Sequence, residues 1–199
     1  MTTILEAFPL IGTRDYVHST TLLNFLDRFQ PPGVPSVPID LRLRQKLRPG
    51  VHVVIDEGMK ADAPATARVG ERTFSFVTTD TPISVAHQPD RFADFLPDIT
   101  QAEGRTQMRP PALRDGSVSE AEVWPRLIQA AKLHAMWHCR PAGQGQGGAK
   151  FLLTRITCRK PHPQDALVIT TDVTIGENWF RLCVTGHGVL GHVFCTLEG

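Results

Sequence analysis

Two stretches of the chain, far apart in sequence, show the same succession of local patterns. Residues 40–56 and 154–172 each begin with an alternating strand pattern that places arginine on one face. Each continues through a basic turn containing proline and ends in an apolar, β-branched strand pattern. Residues 69–77 and 185–193 also match, with glycine in the second position of both. Repetition of this kind determines architecture, so the sequence predicts two copies of one supersecondary unit.

Each of the two stretches is predicted to form a β-hairpin, from Arg42 to Val54 and from Arg155 to Ile169. The basis is a pair of strand patterns around a turn that combines proline with glycine or aspartate. The length of 199 residues gives each copy the size of a small domain. We therefore expect an N-terminal repeat at residues 1–80 and a C-terminal repeat at residues 118–199. The Pro-, Asp- and Gln-rich segment 81–117 is interpreted as the connection between them.

A helix pattern precedes the strand patterns in both halves. Residues 19–29 have a broad apolar face, with Ser19 or Thr20 as the cap and a Pro-Pro-Gly stop after them. Residues 119–138 begin with a Ser-x-x-Glu capping box and end before Pro141. This second helix is apolar on most sides, which is typical of a buried helix. Strands are predicted at 37–47, 51–57, 64–69, 72–79, 150–158, 166–175, 178–185 and 188–197, with hairpin loops at 176–178 and 186–188.

Composition excludes several classes of protein. Hydrophobic residues make up 41% and charged residues 21%, which is ordinary for a globular protein. A net charge of +1 argues against a nucleic-acid partner, which normally requires a basic excess. No apolar run is long enough for a membrane span, and the N-terminus lacks a signal-peptide pattern. The four cysteines form no C-x-x-C pair, so a reducing, cytoplasmic location is expected.

Two further motifs are interpreted as structural features. The glycine-rich segment 143–148 follows a helix and precedes a strand, the reverse of the order in a phosphate-binding loop, so we interpret it as a surface linker. His134, His138 and Cys139 have a spacing that can present two imidazoles to one metal ion. They lack the glutamate of a zincin, and stabilisation of the helix C-terminus explains the two histidines more simply. No metal or cofactor is expected.

The order of elements resembles the hotdog fold. In that fold a curled antiparallel sheet wraps a long apolar helix, and the basic pattern R-x-x-x-(R/K)-P-x-x-(G/D) occurs in both halves of this chain. The resemblance covers approximately residues 10–80 and 118–198. It implies an α+β fold of the tandem (double) hotdog type, with two buried helices, each wrapped by a curled antiparallel sheet, joined as a pseudo-dimer. The alternative is another α+β layout in which two helices pack on one antiparallel sheet.

The resemblance also implies a function. Hotdog proteins act mostly on acyl thioesters, as dehydratases, hydratases or thioesterases on acyl-CoA or acyl carrier protein. We therefore expect an acyl-thioester substrate, no nucleic-acid or membrane partner, and a monomer or homodimer. Because one fold supports many activities, the residues of the site have to decide among them.

The candidate site lies where the first helix begins. In hotdog dehydratases a histidine leading into the central helix removes the α-proton, and His18 occupies a comparable place, with a near-neutral pKa suited to a general base. An N–H group of Ser19 or Thr20 is predicted to face the thioester oxygen. Tyr16 and Asn24 are further candidates for substrate binding. The alternative is that His18, Ser19 and Thr20 simply cap the helix.

The second helix is predicted to supply a polar partner for His18, from Gln129 or His134, with Trp137 as a substrate contact. The three tryptophans, Trp124, Trp137 and Trp179, are expected in the core or in a tunnel wall. The sequence departs from the dehydratase pattern, because H-x-x-x-G-x-x-x-x-P is absent and the expected helix carboxylate is missing. Three hypotheses remain open. They are an enzyme acting on acyl thioesters (a dehydratase with His18 as base, or a thioesterase), an acyl- or carrier-binding module without catalysis, and a structural scaffold.

Overall fold

The computed structural model describes residues 2–32, 36–56, 58–79, 85–110, 119–139 and 150–198. The chain divides into two compact units, Met1–Asp90 and Arg91–Gly199. The predicted stops at Gly33 and Pro141, the glycine-rich segment 143–148 and part of the predicted connection 81–117 lie outside the described residues.

The described residues of the first unit form one helix, two strands of a small pair and a five-stranded sheet. All neighbours in the sheet, whose order is β1-β4-β6-β5-β3, are antiparallel, whereas β2 and β7 pair in parallel. The elements are β1 (Thr2–Ala7), β2 (Leu10–Ile11), α1 (Ser19–Asp27), β3 (Ile39–Leu43), β4 (Gly50–Ile55), β5 (Ala65–Val69), β6 (Arg72–Thr78) and β7 (His87–Gln88).

The core of the first unit is built around the apolar face of α1. Leu22, Leu23 and Leu26 on that face are completely buried. Phe25 on α1 packs against Phe76 on β6, with a ring-centroid distance of 6.1 Å. Tilted and edge-on aromatic pairs contribute about 0.5–1.5 kcal/mol beyond the area that they bury. These contacts hold α1 against the sheet.

The second unit has the longer helix and a six-stranded antiparallel sheet. Its strand order is β10-β13-β12-β11-β9-β8. A 3-10 helix, Phe92–Asp98, precedes the sheet, and another, Glu120–Glu122, precedes α2. The elements are β8 (Ile99–Ala102), β9 (Arg105–Met108), α2 (Val123–His138), β10 (Lys150–Cys158), β11 (Leu167–Ile175), β12 (Trp179–Thr185) and β13 (Val189–Glu198). Among the described residues, no helix has the length and apolar character needed to cross a membrane.

The sheet of the second unit curls around α2. Residues of α2 approach both β8 and β10, the first and last of the six strands of this unit. Six flat strands would span about 24 Å at about 4.8 Å each, whereas a helix is only about 10 Å wide. Six strands of which the first and the last both touch one helix must therefore be strongly curved. The predicted α+β class, with a long buried helix wrapped by an antiparallel sheet, is confirmed for this unit.

The two predicted hairpins are wrong. β3 pairs with β5, and β4 pairs with β1 and β6, so the strands around the first turn are not neighbours. In the second unit β10 pairs with β13, and β11 pairs with β9 and β12. The connections at 44–49 and 159–166 are longer than a tight hairpin loop, which allows each following strand to leave its predecessor. In both units, therefore, the two strands on either side of the basic, proline-containing turn do not pair with each other.

The units differ in the order of two strands. The predicted loops at 176–178 and 186–188 do join hairpins, and such short loops force β11, β12 and β13 to be successive neighbours. In the first unit, residues 56–64 form a longer connection, and β5 lies beyond β6 instead of beside β4. The duplication is therefore one of element order, with a local exchange of strands. The pseudo-dimer stays a prediction.

Several strands were absent from the sequence prediction. The predicted connection 81–117 includes β8 and β9, which form a hairpin that extends the sheet of the second unit. β1 at the start of the chain pairs with β4 along its whole length. These additions matter for the site, since β9 runs directly beside β11.

The close approach of β10 and β13 predicts one residue that must remain glycine. A Cβ atom on Gly191 would lie 2.0 Å from the carbonyl oxygen of Thr157, and the residue has a φ of +154°. We expect Gly191→Ala to lower the free energy of unfolding by about 3 kcal/mol or more, because the clash is with backbone. Urea unfolding at equilibrium would measure this.

Gly188→Ala in the adjoining loop is the matched control, since a Cβ there meets nothing within 4 Å. Equal unfolding midpoints for the two variants would contradict the prediction.

Candidate functional site

His18 is the N-cap of α1. Its backbone is extended, and its Nδ1 accepts a hydrogen bond from the Thr20 N–H at 3.3 Å. The same Nδ1 lies 2.9 Å from Thr20 Oγ1. Both contacts are satisfied together when the hydroxyl also donates to Nδ1, which leaves the proton of the neutral ring on Nε2. In this tautomer His18 offers a donor, rather than a base, at Nε2.

The other predicted residues of the first unit surround the same helix start. Ser19 and Thr20 are buried, so their side chains face the interior. Tyr16 is half-buried, with Lys46 Nζ 5.2 Å from the centre of its ring. Asn24 is half-buried one turn further along α1. The capping alternative for His18 is therefore realised in the structure, while the substrate-binding roles stay predictions.

The predicted residues of the second unit have two different environments, buried and exposed. Gln129 and His134 are buried on α2, His134 completely. Trp137 is 60% exposed. The expectation that Trp137 belongs to a core or tunnel wall is therefore wrong, because the last turn of α2 turns it towards solvent. Trp124, one of the other tryptophans, is completely buried.

His134 lies between two threonine hydroxyls. Its Nδ1 is 3.1 Å from Thr106 Oγ1 on β9, and its Nε2 is 3.0 Å from Thr171 Oγ1 on β11. Thr106 pairs with Ile169 on the neighbouring strand, and Thr171 lies two residues further along that strand. Residues two apart in a strand share a face, so both hydroxyls point to the side of the sheet where α2 packs.

The direction of these hydrogen bonds follows from the acceptor at their end. Thr106 donates its hydroxyl hydrogen to Oε1 of Gln101 at 2.6 Å. Because a hydroxyl has one hydrogen, Thr106 Oγ1 must accept from His134 Nδ1–H. The Nε2 of neutral His134 then carries a lone pair and accepts from the hydroxyl of Thr171. His138 Nε2, 2.9 Å from the same amide oxygen, is likewise a donor.

Cys139 extends the chain of hydrogen bonds at its other end. Its Sγ is 3.2 Å from Thr171 Oγ1. Burial raises the pKa of the Cys139 thiol, which keeps it protonated. Since the hydrogen of the Thr171 hydroxyl is directed to His134, the thiol donates to Thr171 Oγ1. We call this series the His134 relay; its members, in order of donation, are Cys139, Thr171, His134, Thr106 and Gln101.

His134 is a neutral base at physiological pH. Burial, and secondarily the nearby His138, lower its pKa from 6.5 to about 4. The rings of the two histidines are 4.8 Å apart. Thr171, by contrast, is an exposed residue. A hydroxyl on an exposed residue, a neutral imidazole and a group that orients the imidazole form the arrangement of an activated nucleophile.

The alternative of a metal centre at His134, His138 and Cys139 gains no support. Both nitrogens of His134 are engaged by threonine hydroxyls. In the part of the chain that the structure describes, no group of three or more His, Cys, Asp or Glu side chains is placed to hold a metal ion. α2 also contains no Asp or Glu over its whole length. The carboxylate of the dehydratase pattern is thus absent from this helix.

Sequence reasoning identified His134 but missed Thr171, Thr106 and Gln101. Threonine is common in strands, and Thr171 and Thr106 lie 37 and 28 positions from the histidine in sequence. Gln101 lies in a segment without a clear strand pattern. No local signal distinguishes them. The H-x-x-x-H-C motif was the available clue, and it pointed to the correct end of α2.

Comparison with known proteins finds similarity in structure. No protein-family model matches the chain, and no curated protein matches it in sequence. One similar structure is an acyl-CoA thioesterase II, TesB2, from Mycobacterium marinum, with 12% identity over 90% of this chain and 87% of that chain and a TM-score of 0.46. Another is the dehydratase domain of PpsC from Mycobacterium tuberculosis in complex with C12:1-CoA, with 16% identity over 92% and 85% and a TM-score of 0.46.

A third is an acyl-ACP thioesterase from Bacteroides thetaiotaomicron, with 10% identity over 99% and 97% of the two chains and a TM-score of 0.45. These structures are two thioesterases and a dehydratase domain. The chemistry of this chain has to come from its own residues.

The N-cap formed by His18 predicts that the side chain at this position contributes to the stability of the fold. We expect His18→Ala to lower the free energy of unfolding by about 1 kcal/mol, because the Thr20 N–H loses its acceptor. His18→Asn should recover most of this, since asparagine is a good N-cap but carries no imidazole. Thermal unfolding of both variants would show it. Equal destabilisation by alanine and asparagine would mean that the ring contributes by packing instead.

The lowered pKa of His134 predicts a loss of stability in mild acid. The ring titrates near 6.5 in the unfolded chain and at about 4 in the folded protein. Between these values only the unfolded chain binds the proton. The free energy of unfolding should therefore fall by roughly 3 kcal/mol as the pH drops from about 6.5 to 4. Urea unfolding across this range measures the slope.

His134→Gln should remove this part of the slope, while His138 and Cys139, the titratable groups beside the ring, remain. His187→Gln is the control, because the His187 side chain is 96% exposed. A slope unchanged in His134→Gln would rule out His134 as its source.

Proposed function

We propose that this protein is an enzyme that hydrolyses acyl thioesters and that His134 is its general base. The observation that supports this most directly is the contact of His134 Nε2 with the hydroxyl of an exposed residue, Thr171, at 3.0 Å. A neutral imidazole in this position can take a proton from a hydroxyl or from a water molecule that replaces it.

A thioester suits such a site. Its carbonyl carbon is more electrophilic than that of an oxygen ester or an amide, and its leaving group is a stable thiolate. Attack on it needs a positioned base and no strong Lewis acid. The substrate is expected to be acyl-CoA or an acyl group on a carrier protein, the class implied by the hotdog resemblance. The protein would act as a monomer or homodimer.

Hydrolysis accounts for the second unit better than dehydration. Dehydration requires one group to remove the α-proton and an acid to protonate the departing hydroxyl. α2 supplies no carboxylate for the second task. The lone pair of His134, moreover, is directed at a hydroxyl oxygen, that of Thr171.

Dehydration with His18 as general base is the second candidate, because His18 stands at the start of a buried helix. For this role its Nδ1 would have to exchange the bond from the Thr20 N–H for donation to Thr20 Oγ1, which lies 2.9 Å away. That exchange frees a lone pair on Nε2.

Incubation with panels of acyl-CoA and acyl carrier protein would test the proposal. Thiol release would be followed by colorimetry, and the products by mass spectrometry. Wild type should release free acid and free thiol, and His134→Gln should reduce the rate by about 100-fold or more. His187→Gln, on an exposed loop, should match wild type.

Loss of water from a β-hydroxyacyl substrate, abolished in His18→Ala, would instead establish the dehydratase. Retention of bound, unconverted acyl thioester by wild type would identify a binding module. A wild-type rate in His134→Gln would overturn the role of His134.

A further inference from the structure

We infer that Thr171 is the nucleophile and that hydrolysis passes through an ester between the acyl group and Thr171 Oγ1. The inference deepens the proposed function and rests on it for the identity of the substrate. Its own basis is the position of Thr171 in the His134 relay.

Of the two threonines that contact His134, only Thr171 is an exposed residue. Thr106 is completely buried and donates its hydrogen to Gln101 at 2.6 Å, away from any incoming group. Thr171 is exposed and donates its hydrogen to the lone pair of Nε2. The two threonines therefore have different tasks, one orienting the base and the other meeting the substrate.

The local structure of β11 favours an accessible Thr171. The register between β11 and β12 shifts between Thr171 and Val173, so that Asp172 is an additional residue in the strand. Leu167, Ile169 and Thr171 alternate onto one face, and the first two of them are buried. Thr171 is thus the last residue of that face before the bulge and the first that reaches solvent. Bulges commonly re-aim side chains in this way.

The groups around Thr171 are disposed to stabilise charge as it develops. When Nε2 takes the hydroxyl proton, the Nδ1–H of the imidazolium still donates to Thr106 Oγ1. The hydroxyl of Thr106 continues to donate its own hydrogen to Gln101 Oε1. At the other end, the Cys139 thiol donates to Thr171 Oγ1 over 3.2 Å and can support the partial negative charge on that oxygen. An acceptor at Nδ1–H therefore supports the imidazolium, and a donor supports the oxygen that loses its proton.

The proposed reaction has two balanced steps. In the first, Thr171 Oγ1 bonds to the carbonyl carbon, its proton moves to His134 Nε2, the C–S bond breaks, and the thiolate leaves with that proton as a free thiol. In the second, water attacks the ester carbonyl and gives its proton to His134, and the C–O bond to Thr171 breaks. Oγ1 recovers the proton, and the acid is released.

Cys139 is the competing nucleophile, since an acyl group could pass from one thiol to another. Its thiol is only 8% exposed and donates to Thr171 instead of facing solvent. An acyl group on Cys139 would be a thioester, which neutral hydroxylamine cleaves rapidly, whereas an ester on threonine resists it. The two products can therefore be told apart chemically.

The test is to mix the protein with an acyl-CoA that it hydrolyses, quench the reaction rapidly, and measure the intact mass of the protein before peptide mapping. We expect an adduct with the mass of the acyl group, located on Thr171 and stable to neutral hydroxylamine. Thr171→Val should lose the adduct and at least about 100-fold of the rate. Thr171→Ser, which keeps the hydroxyl, should retain both. Thr174→Val, at an exposed threonine on the same strand, should behave as wild type.

Turnover by Thr171→Val at the wild-type rate would overturn the inference and leave the proposed hydrolase intact. An adduct on Cys139, or an inactive Thr171→Val with no adduct in wild type under single-turnover conditions, would also overturn it. If wild type hydrolyses no thioester, labelling by p-nitrophenyl acetate tests the role of Thr171 independently. An acetyl label on Thr171 that is absent in Thr171→Val would support Thr171 as the nucleophile, although the proposed thioester substrate would be wrong. Absence of any label would refute the role of Thr171.

Discussion

The polar side chains that α2 carries into the interior must find hydrogen-bond partners, and the segment from Asp98 to Arg109 provides them. Arg126, only 4% exposed, donates to Asp98 at 3.0 Å and to the carbonyl oxygen of Arg109 at 2.8 Å. His134 finds Thr106 in the same segment. A buried charge or imidazole left without partners would cost several kcal/mol. These bonds fix both the position of α2 along the sheet and its rotation about its own axis.

Much of the secondary structure follows from local sequence. The alternating pattern at 150–158 coincides with β10, and the apolar face at 19–29 begins at the first residue of α1. The hairpins at Arg42–Val54 and Arg155–Ile169 failed because turn chemistry specifies a change of direction but not the partner of the next strand. Partners are chosen by long-range burial, which a strand pattern does not encode. β8 and β9 were missed because four residues of mixed polarity give no periodic signal.

The candidate site was also predictable only in part, because local sequence locates residues but does not identify their long-range partners. His18 could be located because it stands at a helix start, and His134 because it belongs to a dense motif. Which atoms they use could not be foreseen. Thr20 takes the Nδ1 of His18, and Thr171 takes the Nε2 of His134, so the first ring presents a donor and the second an acceptor. Assigning these opposite roles requires the identity of both neighbours of each ring, which come together only in the folded chain.

The position of Gln101 on β8 has a consequence for the motion of the protein. Among the strands that the structure describes, β8 is outermost and pairs only with β9, and such strands open most readily in local unfolding. Each opening would remove the last acceptor from the His134 relay and admit water to the ring, which raises its proton affinity. Fraying of β8 and protonation of His134 are therefore linked equilibria. Acid therefore favours the open strand, and an intact β8 favours the deprotonated imidazole.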